Sequence, residues 1–396
     1  MSERDQERRA MAVACGAHAL HDGYTDLIYV MLPIWQGEFG LGFAALGLMK
    51  TVFSGTLAGF QVPSGFLAER IGAPLTLALG TALAGIGYML GGFSVGVVTL
   101  VAALFVGGLG ASTQHPLGST LIAQAFAGVR SRTALGTYNF AGDIGKMTVP
   151  ALAALLLLVL PWRQALIVLG SLGLIGAIAI FILMPRLREA APAAKKDDRA
   201  ARPIGRLHAL GFPLLLSVGI IDSATRMAFL TFLPFVLTAK GASLQQVGLA
   251  MTLVFAGGAA GKLACAFIGA RIGAIATVWL TEGLTAAGIV ALLPLPLPAA
   301  LLLLPLIGVA LNGTSSVLYG SVPDLVAADR RTRALSIFYT GTIGSGAIAP
   351  VLFGHIGDAL GVWPALTLVA AAALGTLPLA ALLRPALPRS YGAGTA

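Results

Sequence analysis

His18, Asp22 and Asp26 follow one another at intervals of four, and His21 and Thr25 fill the neighbouring stripe, within the stretch HALHDGYTDLIY that begins at residue 18. With 3.6 residues per helical turn the first three share one face. Imidazole beside carboxylate can relay a proton, hold a divalent transition metal, or grip a cationic partner. The flanking residues are apolar, so the cluster lies inside a run otherwise suited to lipid. A charge at the middle of a bilayer is costly and normally faces a water-filled cavity or a partner. His18, His21, Asp22 and Asp26 are therefore candidate proton-coupling groups, with a divalent-metal site as the alternative reading of the same face. A purely packing role for Asp22, as a cap or a tie to a neighbouring helix, is the bland alternative.

Other ionisable residues interrupt apolar runs: Lys50, Asp143, Lys146, Asp222, Arg226, Lys262 and Glu282, with His115 as a further titratable neighbour. Asp143 and Lys146 are three apart, Asp222 and Arg226 four apart, so each couple can neutralise itself along one helix. Asp26 and Lys50 fall at comparable depths and are expected to pair. Arg226, Lys146 and Lys262 offer positive charge for an anionic or zwitterionic small molecule, Arg through a bidentate fork. Gln114, His115, Tyr29, Asn139, Asn312, Tyr319 and Tyr339 supply polar groups for a lining; His115 precedes Pro116 and could instead satisfy carbonyls freed by a proline kink. Glu282 has no assigned role. No HExxH or GxxxxGK[ST] pattern occurs, the tails and the linker described below are too short for a soluble domain, and Cys15 and Cys265 form no CxxC pattern. Neither an enzyme nor a resident metal or cofactor is expected.

The elements that must hold these groups are membrane helices. Of 396 residues 57% are hydrophobic and only 10% charged, and the mean hydropathy is +0.89. A soluble domain carries about 25% charged residues. The apolar runs lack the alternation of β-barrel strands, and twelve are long enough to cross as helices, at roughly 10–36, 43–68, 73–95, 98–125, 133–160, 163–184, 207–237, 244–270, 273–294, 298–325, 333–358 and 362–384. Between the sixth and seventh runs, LREAAPAAKKDDRAARP reads as a solvated linker. The expected organisation is a six-helix half at 1–185, a cytoplasmic linker at 186–206 and a second six-helix half at 207–396. With the N-terminus inside, only Arg163 and Lys240 among the basic loop residues face outward, which predicts cytoplasmic N- and C-termini. The segment after the charged Met1–Arg9 stretch is too long and too polar for a cleaved signal peptide. The net charge of +9 belongs to these short inner loops, and its scatter excludes a nucleic-acid surface.

The chain repeats itself at a period near 200. HDGYTDLIYVMLP at His21 aligns with IDSATRMAFLTFLP at Ile221, so Asp22 matches Asp222 and Asp26 faces Arg226. GFLAERIGA at Gly65 aligns with AFIGARIGA at Ala266, and ALGTYNFAGDIG at Ala134 with ALSIFYTGTIGS at Ala334, followed by Pro150 and Pro350. Two parallel six-helix halves form the plan of a rocker-type transporter.

Over its whole length the sequence resembles the major facilitator superfamily. Gly65-Phe66-Leu67-Ala68-Glu69-Arg70-Ile71-Gly72 is similar to that family's loop motif between its second and third helices, with Glu69 in place of Asp and the trailing basic residues lost to Ala73 and Pro74. The resemblance implies that Glu69 and Arg70 act in gating. Gly136, Gly145 and Pro150 partly match the glycine-proline motif of family antiporters, with Val149 where a glycine is expected. Leu32-Pro33, Glu38-Phe39-Gly40-Leu41, Gln61 and Gly65, and His115-Pro116 with Ser119 resemble the fosmidomycin-resistance type of efflux protein, mostly over the first 150 residues. The arginine that many proton antiporters carry in the fourth helix is absent, Leu104 standing near its place. The expected molecule is an all-α membrane protein with twelve transmembrane helices in two pseudo-symmetric six-helix halves. It is expected to act as a monomer in the bacterial inner membrane and to export a small organic anion or drug against protons. The alternatives are proton symport of a carboxylate-type metabolite and divalent-metal transport.

Overall fold

The structure, a computed structural model, describes residues 3–126, 129–185, 206–326 and 330–387. The linker expected at 186–206 lies outside the described residues except for its last position. Every regular element described is helical: α1 (Glu3–Phe39), α2 (Phe43–Gly59), α3 (Gln61–Ile71), α4 (Ala73–Gly92), α5 (Val97–Ala111), α6 (Gln114–Ala125), α7 (Val129–Leu156), α8 (Trp162–Leu183), α9 (Arg206–Ala239), α10 (Leu244–Ile272), α11 (Ala274–Leu292), α12 (Leu297–Leu325), α13 (Arg331–Leu360), α14 (Val362–Leu374) and α15 (Thr376–Leu383). Three of the twelve expected crossings are broken rather than continuous. α2 and α3 meet at a 43° bend, α5 passes to α6 through Ser112 and Thr113, and α14 to α15 through Gly375. Among the described residues nine stretches are long and apolar enough to cross a membrane, or ten with the bent α2–α3 pair. α1 and α7, the two crossings outside that set, carry most of the intramembrane ionisable residues of the first half, with Lys50 on α2 and His115 on α6.

The chain divides into two compact units. The first comprises Met1–Leu41, Leu48–Ala193 and Ser243–Thr252, the second Gly42–Gly47, Ala194–Ala242 and Leu253–Ala396. Within the first, α1 lies against α7, and α4 packs on both α5 and α8. Within the second, α9 lies against α13, and α11 packs on both α12 and α14. The same partners recur, and so do the buried side chains: Leu77, Leu117, Leu121 and Tyr138 in one core stand where Val278, Leu318, Val322 and Phe338 stand in the other.

Glycine sets the geometry where the repeat turns. Gly72 (φ 90°) and Gly273 (φ 86°) end α3 and α10 in the left-handed region, which a side chain would strain. Close approach is the other use. A Cβ on Gly145 would run into the Ala19 carbonyl, and one on Gly142 into His18 and Asp22. The absence of side chains at these two positions lets α7 lie directly on the polar face of α1.

Candidate functional site

α1 turns Asp22 toward α6 and α7, and a cluster closes around it. His18 Nε2 lies 3.4 Å from Asp22 Oδ1, one helical turn away. From the start of α6, His115 Nε2 comes to 3.8 Å of the same oxygen, and from α7 the Lys146 ammonium lies 3.3 Å from Oδ2. His18 and Asp22 are buried, while 46% of the His115 side chain remains accessible. His18 Nδ1 sits 2.8 Å from the Tyr138 carbonyl, and its ring stacks on Tyr138 at 4.1 Å. A carbonyl only accepts, so the Nδ1 proton is fixed there. In the neutral ring Nε2 is then bare, with no hydrogen-bond partner among the described residues. A lone pair and a carboxylate thus face each other at 3.4 Å, an arrangement that one added proton completes.

The other imidazole of α1 does different work. Thr81 Oγ1 spends its proton on the Leu77 carbonyl at 2.8 Å, so His21 Nε2 donates to it at 2.9 Å. His21 therefore ties α1 to α4 and leaves the cluster to His18. Lys50 is buried, donating to the Thr25 carbonyl at 2.7 Å and lying over the Tyr29 ring at 4.5 Å. Asp26 is close enough to act on the Lys50 charge, and Tyr29, beneath the ammonium, has no exposed surface. Gln114 is buried, its Nε2 donating to the Tyr138 hydroxyl at 3.0 Å. Asn139 is exposed. Asp143 is buried and Lys262 half-buried, each with interactions of its own. Glu69 and Arg70 are both exposed at the end of α3.

The second unit builds its polar centre differently. Asp222 on α9, which can neutralise itself on Arg226 along that helix, has its carboxyl within hydrogen-bonding reach of Glu282 of α11. Arg226 still acts electrostatically on both acids, while its Nε is buried with no hydrogen-bond partner among the described residues. Thr314 of α12 donates to Glu282 Oε1 at 2.7 Å. Tyr319 meets Thr342 at 3.1 Å and stacks on Tyr339 at 4.5 Å, and Asn312 bonds back to the Gly308 carbonyl at 3.3 Å. Glu282 is the residue that sequence reasoning left without a role. The repeat held the signal: counted from the matched Gly72 and Gly273, Glu282 takes the place of Thr81, the residue to which His21 is bonded.

Three potential metal ligands, His18, Asp22 and His115, have atoms within 4.8 Å of one another. Lys146 stands on the other oxygen of Asp22, where its charge opposes a dication. The donor set fits an anionic carboxylate with a cationic neighbour better than a divalent-metal seat.

Comparison with known proteins agrees with the fold. The Major Facilitator Superfamily profile matches residues 14–217 and again 214–395. The chain is 27% identical over 390 residues to a protein of Cupriavidus necator named "Probable sulfoacetate transporter", covering 90% of this chain and 88% of that one. It is 26% identical over 270 residues to the fosmidomycin resistance protein of Escherichia coli, covering 66% and 65%. A bacterial homologue of the human lysosomal transporter Spinster, solved in an inward-facing, unoccupied conformation, superposes with a TM-score of 0.76 at 15% identity, over 96% of this chain and 97% of the other. The repeated six-helix plan, its matched turns and both halves of the profile make this chain a member of the major facilitator superfamily, a multi-pass membrane transporter and not an enzyme.

Proposed function

We propose that the chain is a proton-coupled secondary transporter of a small organic anion, acting as a monomer in the bacterial inner membrane with both termini in the cytoplasm. The basic residues of the inner loops support that orientation. The observation that carries the coupling is the Asp22 cluster: a bare His18 nitrogen on one oxygen at 3.4 Å and the Lys146 ammonium on the other at 3.3 Å. A proton arriving between His18 and Asp22 neutralises the carboxylate. Lys146 then no longer faces a charged Asp22, and its ammonium attracts an anion more strongly, with His115 beside it. Proton and anion load together, which favours cotransport and hence uptake down a proton gradient. Related chains named for sulfoacetate and 4-hydroxybenzoate, compounds bearing sulfonate or carboxylate groups, support an anionic cargo. Export remains the second reading, favoured by relatives named for fosmidomycin resistance and cephamycin export.

Reconstituted vesicles test this. With sulfoacetate and 4-hydroxybenzoate as probes and a trapped pH dye, inward anion movement is expected to acidify the lumen, and Asp22→Asn to abolish the coupled proton flux. Protons moving against the anion would establish export instead. Anion movement without proton movement, or unchanged flux in Asp22→Asn, removes the coupling assigned to Asp22.

A further inference from the structure

The second unit holds an acid pair that the chemistry at Asp22 does not use. Asp222 and Glu282 are 5% and 2% exposed, come from α9 and α11, and have their carboxyl groups in hydrogen-bond contact. Ionised carboxylates only accept hydrogen bonds. Contact between two of them requires a proton on one, as like charges this close do not both persist. Thr314 holds Glu282 in place from α12, its hydroxyl 2.7 Å from Oε1 and 2.7 Å from Thr281 Oγ1. The charged and titratable groups facing the pair among the described residues are Arg226, one turn along α9, and Tyr319 on α12. Independently of the acids, the Arg226 Nε is buried and has no acceptor among the described residues. A guanidinium nitrogen without a partner points to an anionic ligand.

We propose that Asp222 and Glu282 share one proton and form, with Arg226, a proton-binding site in the second unit that is separate from the Asp22 cluster. One proton on the pair leaves one negative charge, which Arg226 balances. An anion taken by Arg226 turns the guanidinium charge away from the acids, and the cluster returns to neutrality by taking a second proton from water onto the Asp222 carboxylate. Release of the anion returns that proton. This last step rests on the anion-transport reading above; the shared proton does not, and two measurements separate them.

Infrared spectra of the purified full chain at neutral pH are expected to show the carbonyl stretch of a protonated carboxylic acid, shifting in heavy water. Glu282→Gln and Asp222→Asn are each expected to remove or displace a component of it. The absence of the band in the unsubstituted protein, or an unchanged band in either variant, overturns the shared proton. For the second proton, sulfoacetate added to weakly buffered protein is expected to draw protons from solution, with less uptake in the double variant Asp222→Asn, Glu282→Gln. Equal uptake in the variant, or none in the unsubstituted protein, overturns the anion-linked step and leaves the shared proton standing on the infrared result.

Discussion

Lys50 shows how a single charge is accommodated inside this molecule. An ammonium has three protons to place; one goes to the Thr25 carbonyl, the charge lies over the Tyr29 face, and Asp26 supplies the opposite sign. Removing one member of such a buried set leaves its partner uncompensated, at a cost of about 3–5 kcal/mol. Lys50→Met is therefore expected to lower the unfolding midpoint in detergent sharply, and Lys50→Met with Asp26→Asn to recover most of the loss. A double variant as unstable as the single one would mean the two charges are not coupled. The depth of Asp26 and Lys50 in their runs made this neighbourhood legible in the sequence. The roles of His18 and His21 were not legible, because three residues of spacing do not say which helix each ring will meet. The Asp222–Glu282 contact was hidden for the same reason: its two members sit sixty positions apart on different helices, and only packing joins them.

At the level of elements, helix ends are tied by polar residues that the apolar pattern leaves over. Arg163, at the start of α8, donates to Glu38 at 2.8 Å and to the Ser94 carbonyl at 3.2 Å, and its guanidinium lies 4.3 Å from the Trp162 ring. It thereby joins the last turn of α1 to the segment after α4. The hydrogen bond from Arg163 holds the Glu38 carboxyl below the ordinary carboxylate range. An acid depressed in the folded state stabilises the fold above its unfolded value of about 4.3, and that stabilisation is lost as pH falls through the lower, folded value. Glu38→Gln is thus expected to lower the thermal midpoint slightly at neutral pH and to match the unsubstituted protein in strong acid, as melting curves across pH would show. A difference that stays constant with pH would disprove the linkage. Element boundaries were legible wherever a loop carried polar or glycine residues, as at Gly72. The breaks at Ser112–Thr113 and Gly375 were not, because the apolar run continues through both and composition alone does not register a local interruption of the helix.

At the level of the whole molecule, composition identified the membrane class and the period near 200 marked the doubled family match over 14–217 and 214–395, since both depend on many residues at once. The matched turns kept their backbone while the polar centres diverged: Asp26 gave way to Arg226, and Thr81 stands where the other half has Glu282. That divergence has a consequence for voltage. In the first unit Asp22 carries its counter-ion, Lys146, within the same unit; in the second, one shared proton leaves Asp222, Glu282 and Arg226 without net charge. Each elementary charge moved across 100 mV is worth about 2.3 kcal/mol, and neither cluster carries any net charge when empty. A monovalent anion entering with one proton adds none, whereas the second proton taken in the second unit adds one. In vesicles clamped at different potentials with valinomycin and potassium, uptake of 4-hydroxybenzoate is therefore expected to follow the pH difference and also to rise with an inside-negative potential. A rate that ignores the voltage would mean that one proton alone accompanies each anion.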